Sequence, residues 1–120
     1  MQEIFFFDEG ATPVPQSEVH IEGIVVKPSP DGTRVHTNIT LSPFSEKPNL
    51  GISVTDQDGI TLVTAEVLEP ISTITEFTLH IRPKHPESIH TLTVNLYYEE
   101  DESQDTKSID FCPLDKTNTP

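Results

Sequence analysis

Few residues of this chain combine the type and spacing that chemistry requires. The 120 residues include one cysteine, Cys112, and five histidines, His20, His36, His80, His85 and His90. Nucleophilic catalysis needs a thiol or hydroxyl beside a base that an acid orients. Cys112 instead stands between Phe111 and Pro113 with no nucleophile-elbow sequence around it, so it reads as a packing residue. The histidines show no H-x-x-x-H spacing, and a zinc site from His20, His36 and His80 would need three separate strands to coincide in register. They read as solvated surface residues. The carboxylates are more suggestive. Asp31, Asp56, Asp58 and Glu87 all fall in turn sequences and offer the hard oxygens that Ca²⁺ takes, although Asp56-Gln57-Asp58-Gly59 is also ordinary hairpin chemistry. Glu99, Glu100, Asp101, Glu102 and Asp105 place five carboxylates within seven residues. Such a run repels itself, stays mobile as a loop and steers a basic protein partner. Catalytic carboxylate pairs, by contrast, need a cleft that drives their pKa values apart. The expectation is a protein that is not an enzyme and has no cofactor, with Ca²⁺ as the alternative.

Composition narrows the partners. Lys and Arg total 7 against 20 Asp and Glu, a formal net charge of −13, which repels nucleic acid and anionic lipid and leaves proteins, above all basic ones. With one cysteine no internal disulfide can form, so the fold must stand on its core, and a cytoplasmic setting is expected. The opening Met1-Gln2-Glu3-Ile4-Phe5-Phe6-Phe7-Asp8 has no basic segment and only four consecutive apolar residues, too few for a signal-peptide core or a membrane span. Only prior removal of a precursor segment would make the chain secreted. Phe5, Phe6 and Phe7 are costly to leave in water. They are expected to dock, either as an extra edge strand of the same domain or as an adhesive arm that pairs with a second copy in a homodimer.

The elements that must position these residues are strands. The eleven prolines lie mostly between apolar runs, as short strands joined by stiff turns require. Asn49 to Glu69 reads as a hairpin: Leu50, Ile52 and Val54 alternate with polar residues, Ile60 to Leu68 continues in β-branched style, and Asp56-Gln57-Asp58-Gly59 closes the turn, with Gly59 in the left-handed conformation of a bulge. Glu18 to Lys27 is a first strand whose Gly23 marks a bulge. Thr33 to Ser42 alternates most cleanly, with Val35, Thr37, Ile39 and Leu41 inward. Ile74 to Arg82 places Phe77, Leu79 and Ile81 inward, and Ile89 to Tyr98 does the same with Leu92, Val94, Leu96 and Tyr98. Thr106 to Cys112 supplies a last strand through Ile109 and Phe111.

Seven strands at spacings of about ten residues, each followed by a turn cluster, form the pattern of a β-sandwich. From Glu18 to Cys112 their order resembles an immunoglobulin-like fold of the fibronectin type III kind. The Asp56–Gly59 turn then joins strands C and C′ of one sheet, and Glu87 to Val94 is similar to the entry of strand F, with His90 near the position where such modules often carry a corner tyrosine. The fold class expected is all-β, an immunoglobulin-like antiparallel sandwich. Residues 1–17 form an arm or edge strand, 18–114 the sandwich, and 115–120 a disordered tail. A superfold does not fix function. The expected role is a non-enzymatic interaction module that presents loops or an edge strand to a protein partner or to itself.

Overall fold

The computed structural model describes residues 12–99 and 102–114. A 3-10 turn at Gln16–Glu18 precedes seven strands: β1 (Ile21–Pro28), β2 (Arg34–Leu41), β3 (Asn49–Thr55), β4 (Thr61–Leu68), β5 (Ile74–His80), β6 (His90–Tyr97) and β7 (Ser103–Phe111). They form a three-stranded sheet ordered β1-β2-β5 and a four-stranded sheet ordered β4-β3-β6-β7, antiparallel at every strand pairing. Among the described residues no helix is long and apolar enough to cross a membrane. The fold is the all-β sandwich that the alternation of side chains dictates.

Period-2 patterning sets the core. On β2, Val35, Thr37, Ile39 and Leu41 are buried, and on β6, Leu92, Val94 and Leu96 are completely so. Leu50, Ile52 and Val54 of β3 face them from the same sheet as β6, whereas β2 belongs to the opposite layer. The register of β1 against β2 shifts between Ile21 and Gly23, which is the expected bulge. The Asp56 turn also closes as its sequence requires: Gly59 has φ +82°, its N–H donates to the Asp56 carbonyl at 3.0 Å, and Asp56 Oδ1 accepts from the N–H groups of Asp58 and Ile60 at 2.9 Å each.

The β1–β2 turn is built the same way around Asp31. Its Oδ1 accepts from Ser29 Oγ at 2.6 Å, Thr33 Oγ1 at 2.8 Å and the Thr33 N–H at 3.1 Å. The Ser29 hydroxyl, followed by those two Thr33 donors, holds the Asp31 carboxyl down at a pKa of about 2, because all three bonds favour the ionised form. Gly32 adopts φ +75°, and a Cβ there would come within 3.3 Å of the Pro113 carbonyl oxygen.

Three features depart from the sequence reading. The segment Glu99 to Asp105 is not wholly a loop, because β7 already begins at Ser103. Asp105 Oδ2 accepts a 2.8 Å hydrogen bond from the Ile21 N–H. Gln104 Nε2 donates to the carbonyls of Gln16 at 2.7 Å and Val19 at 2.8 Å. The physical reason is the edge position of β1: the backbone of residues 16–21 needs partners that β2 cannot supply, and β7 supplies them. His90 is the second departure. It is fully buried rather than solvated, with Nδ1 donating to the Ser88 carbonyl at 3.0 Å and Nε2 buried without a partner among the described residues. Third, Tyr98 packs against the core and Tyr97 faces the outer side of its sheet as expected, yet Tyr97 is buried there while Tyr98 is only half-buried.

Three outcomes follow. Asp105→Ala should destabilise the fold by about 1–2 kcal/mol by orphaning the Ile21 N–H, whereas Asp105→Asn, which keeps an acceptor oxygen, should recover most of that loss in chemical denaturation. His90→Phe should raise stability by about 1 kcal/mol, since an orphaned buried nitrogen costs about 1–3 kcal/mol and the single bond lost returns less; a lower melting temperature would show that Nε2 has a partner. Because the Asp31 value is depressed on folding, its contribution is complete above the unfolded value and disappears as the pH falls through about 2. The melting-temperature deficit of Asp31→Ala relative to the parent should therefore hold steady above about pH 5 and close between about pH 4 and pH 2.

Candidate protein-docking edge

A three-stranded sheet facing a four-stranded one leaves two flanks, and they differ. On the first flank β1 and β7 lie against each other, joined by the Asp105 and Gln104 hydrogen bonds. Both edge strands there carry devices that discourage further pairing: the bulge, Lys27 and Pro28 on β1, and Asp105, Lys107 and Asp110 on β7. The opposite flank is formed by β4 and β5, and no comparable approach joins them.

β4 reads Thr-Leu-Val-Thr-Ala-Glu-Val-Leu. It contains no proline and no lysine, and Glu66 is its sole charge. Val63, Ala65 and Val67 turn toward the interior, opposite Val54, Ile52 and Leu50 of β3. They pack against the core yet remain half-buried, as does Phe77 on β5, because the smaller sheet has no strand to lay over them. The last residue of β4 and the crossover after it continue the apolar exposure, with Leu68 65% and Ile71 61% exposed. Glu69, at the crossover, has φ 49°, and its N–H is held by Asn49 Oδ1 at 3.1 Å.

The outer face of the four-stranded sheet explains where the Glu66 charge goes. Tyr97 Oη donates to Glu66 Oε2 at 3.0 Å. Glu66 pairs with Gly51 on β3, and Tyr97 belongs to β6 one strand further in. The carboxylate is therefore drawn over Gly51 toward the middle of the sheet and away from the outer edge of β4. The Tyr97 ring passes close over Gly51, where a Cβ would meet it at 3.9 Å, an ordinary van der Waals contact. The remainder of the face is a ladder of small polar groups: Thr91 donates to Asp110 at 2.8 Å, Thr93 and Ser108 share a bond at 3.0 Å, and Ser103 bonds to Asn95.

The residues singled out in the sequence are dispersed. Asp31, Asp56, Asp58 and Glu87 do lie in connections at one end of the sandwich, since β2 and β6 begin there and the β3–β4 turn closes there. They do not gather. Among the described residues no three His, Cys, Asp or Glu side chains are grouped to hold a metal ion, and the Asp31 and Asp56 oxygens serve their own turns. The calcium reading and the zinc reading of His20, His36 and His80 thus find no donor set here. Glu99 and Glu102 are exposed, and the Glu102 N–H donates to the Glu99 carbonyl at 3.0 Å. Glu100, Asp101, Phe5, Phe6 and Phe7 lie outside the described residues. Cys112 is half-buried, with Sγ 2.9 Å from the Glu87 carbonyl. The β4 edge was missed by sequence reasoning, although a strand with one charge and no gatekeeper residue is itself a signal.

No protein-family model matches the chain, and no curated protein matches it in sequence. In three dimensions it is similar to parts of solved glycosidases. A β-glucuronidase of Bifidobacterium dentium complexed with coumarin-3-O-glucuronide matches at TM-score 0.62 and 13% identity, over 78% of this chain and 18% of that one. The β-glucuronidase of Parabacteroides merdae matches at TM-score 0.61 and 15% identity, over 79% and 14%. A glycosyl hydrolase family 2 member from Bacteroides cellulosilyticus matches at TM-score 0.60 and 20% identity, over 78% and 14%. The chain thus spans 14–18% of the length of these three enzymes. At such identities the likeness is one of fold, and it is that of an immunoglobulin-like β-sandwich.

Proposed function

We propose that the domain is a non-enzymatic protein-interaction module, arranged in the fibronectin type III manner, whose docking side is the open flank along β4. The observation that carries the reading is the contrast between flanks. The β1–β7 flank is closed by hydrogen bonds and guarded by charge, whereas β4 offers a backbone edge that no other described strand pairs, over half-buried valines. An added strand would satisfy that edge and cover Val63 and Val67 together. The pairing of β4 with β3 rather than with the other sheet supports the fibronectin type III arrangement. The glycosidase likeness supports a role as one part of a larger assembly, since each of those chains contains the same sandwich as a small fraction of its length. Glu99 and Glu102 stand at the β6–β7 connection, at the same end of the sheet as the exit of β4. With a net charge of −13, they favour a basic surface and speed its approach more than they hold it.

Lysine on an edge strand is the natural means of preventing strand addition. Full-length protein and its Ala65→Lys variant, both checked by circular dichroism, are to be used as baits in a native extract. Proteins retained by the parent should be lost from the variant, and at low salt those proteins should be basic. An unchanged set of retained proteins, with the variant folded, would move the docking side elsewhere.

A further inference from the structure

We infer that β4 pairs with β4 of a second copy of this chain, antiparallel about a two-fold axis at Ala65, to give one continuous eight-stranded sheet. The inference rests on the docking flank proposed above and names its occupant. The argument is the internal symmetry of the strand. Leu62-Val63-Thr64-Ala65-Glu66-Val67-Leu68 is nearly palindromic in character about Ala65, and directly opposed residues of an antiparallel pair share a face. With the axis at Ala65, Val63 stands opposite Val67 of the other copy on the inner face, and Leu62 stands opposite Leu68. Thr64 stands opposite Glu66, so no like charges face each other. Moving the axis to Glu66 would oppose the two carboxylates directly, and moving it to Thr64 would oppose Glu66 to Leu62. The strand fits its own copy best in one register, as an isologous contact must.

Placement of the remaining groups agrees. The Tyr97 bond draws the Glu66 carboxylate back from the backbone edge of β4, while its charge stays on the exposed face that Thr64 shares. Paired edges would also bring the half-buried Val63 and Val67 of both copies into one apolar seam. The opposing factor is the charge of −13 on each copy. Association should therefore be weak, with a dissociation constant of roughly micromolar to submillimolar size for so small a contact, and salt should strengthen it by screening.

The test is sedimentation equilibrium of the full chain across a concentration series at low and high salt, on the parent and on substitutions at the exposed Thr64. The expected result is a mass rising from 13.4 kDa toward twice that value, more readily at high salt. Thr64→Lys would face Glu66 of the other copy twice by symmetry and should tighten the dimer by roughly two- to thirtyfold, while Thr64→Glu should loosen it by a similar factor. Thr78→Lys makes the same charge change on the outer face of the other sheet, and should move the constant clearly less. Thr64 is exposed, so these variants keep the fold. A monomer under all conditions overturns the inference, as does association that Thr64→Lys and Thr78→Lys affect equally. A dimer abolished by deleting residues 1–11 but indifferent to Thr64 would assign it to the aromatic arm and overturn the inference as well. If the chain is monomeric and Ala65→Lys still strips proteins from the bait, the docking flank stands and only its self-pairing falls.

Discussion

Three strands cannot cover four. The layers of a sandwich share one core, and each inward side chain needs apolar atoms opposite it to leave water completely. In this protein the three-stranded sheet is drawn to one side, where Asp105 and Gln104 of β7 fasten the backbone leading into β1. That fastening decides which residues are fully enclosed. Leu92, Val94 and Leu96 of β6 and Val35 and Ile39 of β2 lie under complete cover, while the uncovered remainder falls on β4 and β5. The half-exposure of Val63, Ala65 and Val67 is thus the geometric counterpart of the close contact on the other side.

Much of this was legible in the residues. Alternation located β2, β3, β5 and β6, because a buried face leaves a period of two that neither turns nor helices reproduce, whereas β7 begins at Ser103, three residues before its apolar residues suggest. Asp56 to Gly59 and Gly23 announced their turn and bulge because left-handed and bulged backbone select a few residue types. What was not legible depends on contacts between distant segments. Asp105 looks like one more member of an acidic run, and only the nearness of Ile21, 84 positions away, makes it a backbone acceptor. His90 sits in a run whose polar neighbours suggest exposure, yet its phase on β6 carries it inward. Which strand lies at an edge, and whether that edge is guarded, depends on sheet order, which local pattern does not contain.

The carboxylates divide into two classes by what they accept. Asp31, Asp56 and Asp105 take backbone or hydroxyl hydrogens and belong to the architecture. Exposed groups such as Glu99 and Glu102 contribute to the field around the molecule. Formal charge alone cannot separate them, and the same residue type serves turn closure, inter-sheet attachment and long-range repulsion. The histidines divide likewise. His20, His36 and His80 stand at the surface, whereas His90 lies beneath the Phe111 ring at a centroid separation of 6.0 Å.

The β1–β7 contact also sets how the domain would respond to tension. Both strands start at the same end of the sandwich, where Ile21 meets Asp105, and both run toward the end where Gly32 meets Pro113. A chain pulled at Ile21 and at Phe111 is therefore stretched along these strands, so the Asp105 and Gln104 bonds slide against one another instead of opening one at a time like a zipper. Bonds loaded together in shear must fail together, and resistance to force is governed by the height of that barrier rather than by equilibrium stability. The same contact that leaves β4 open makes the opposite side of the domain its mechanical seam.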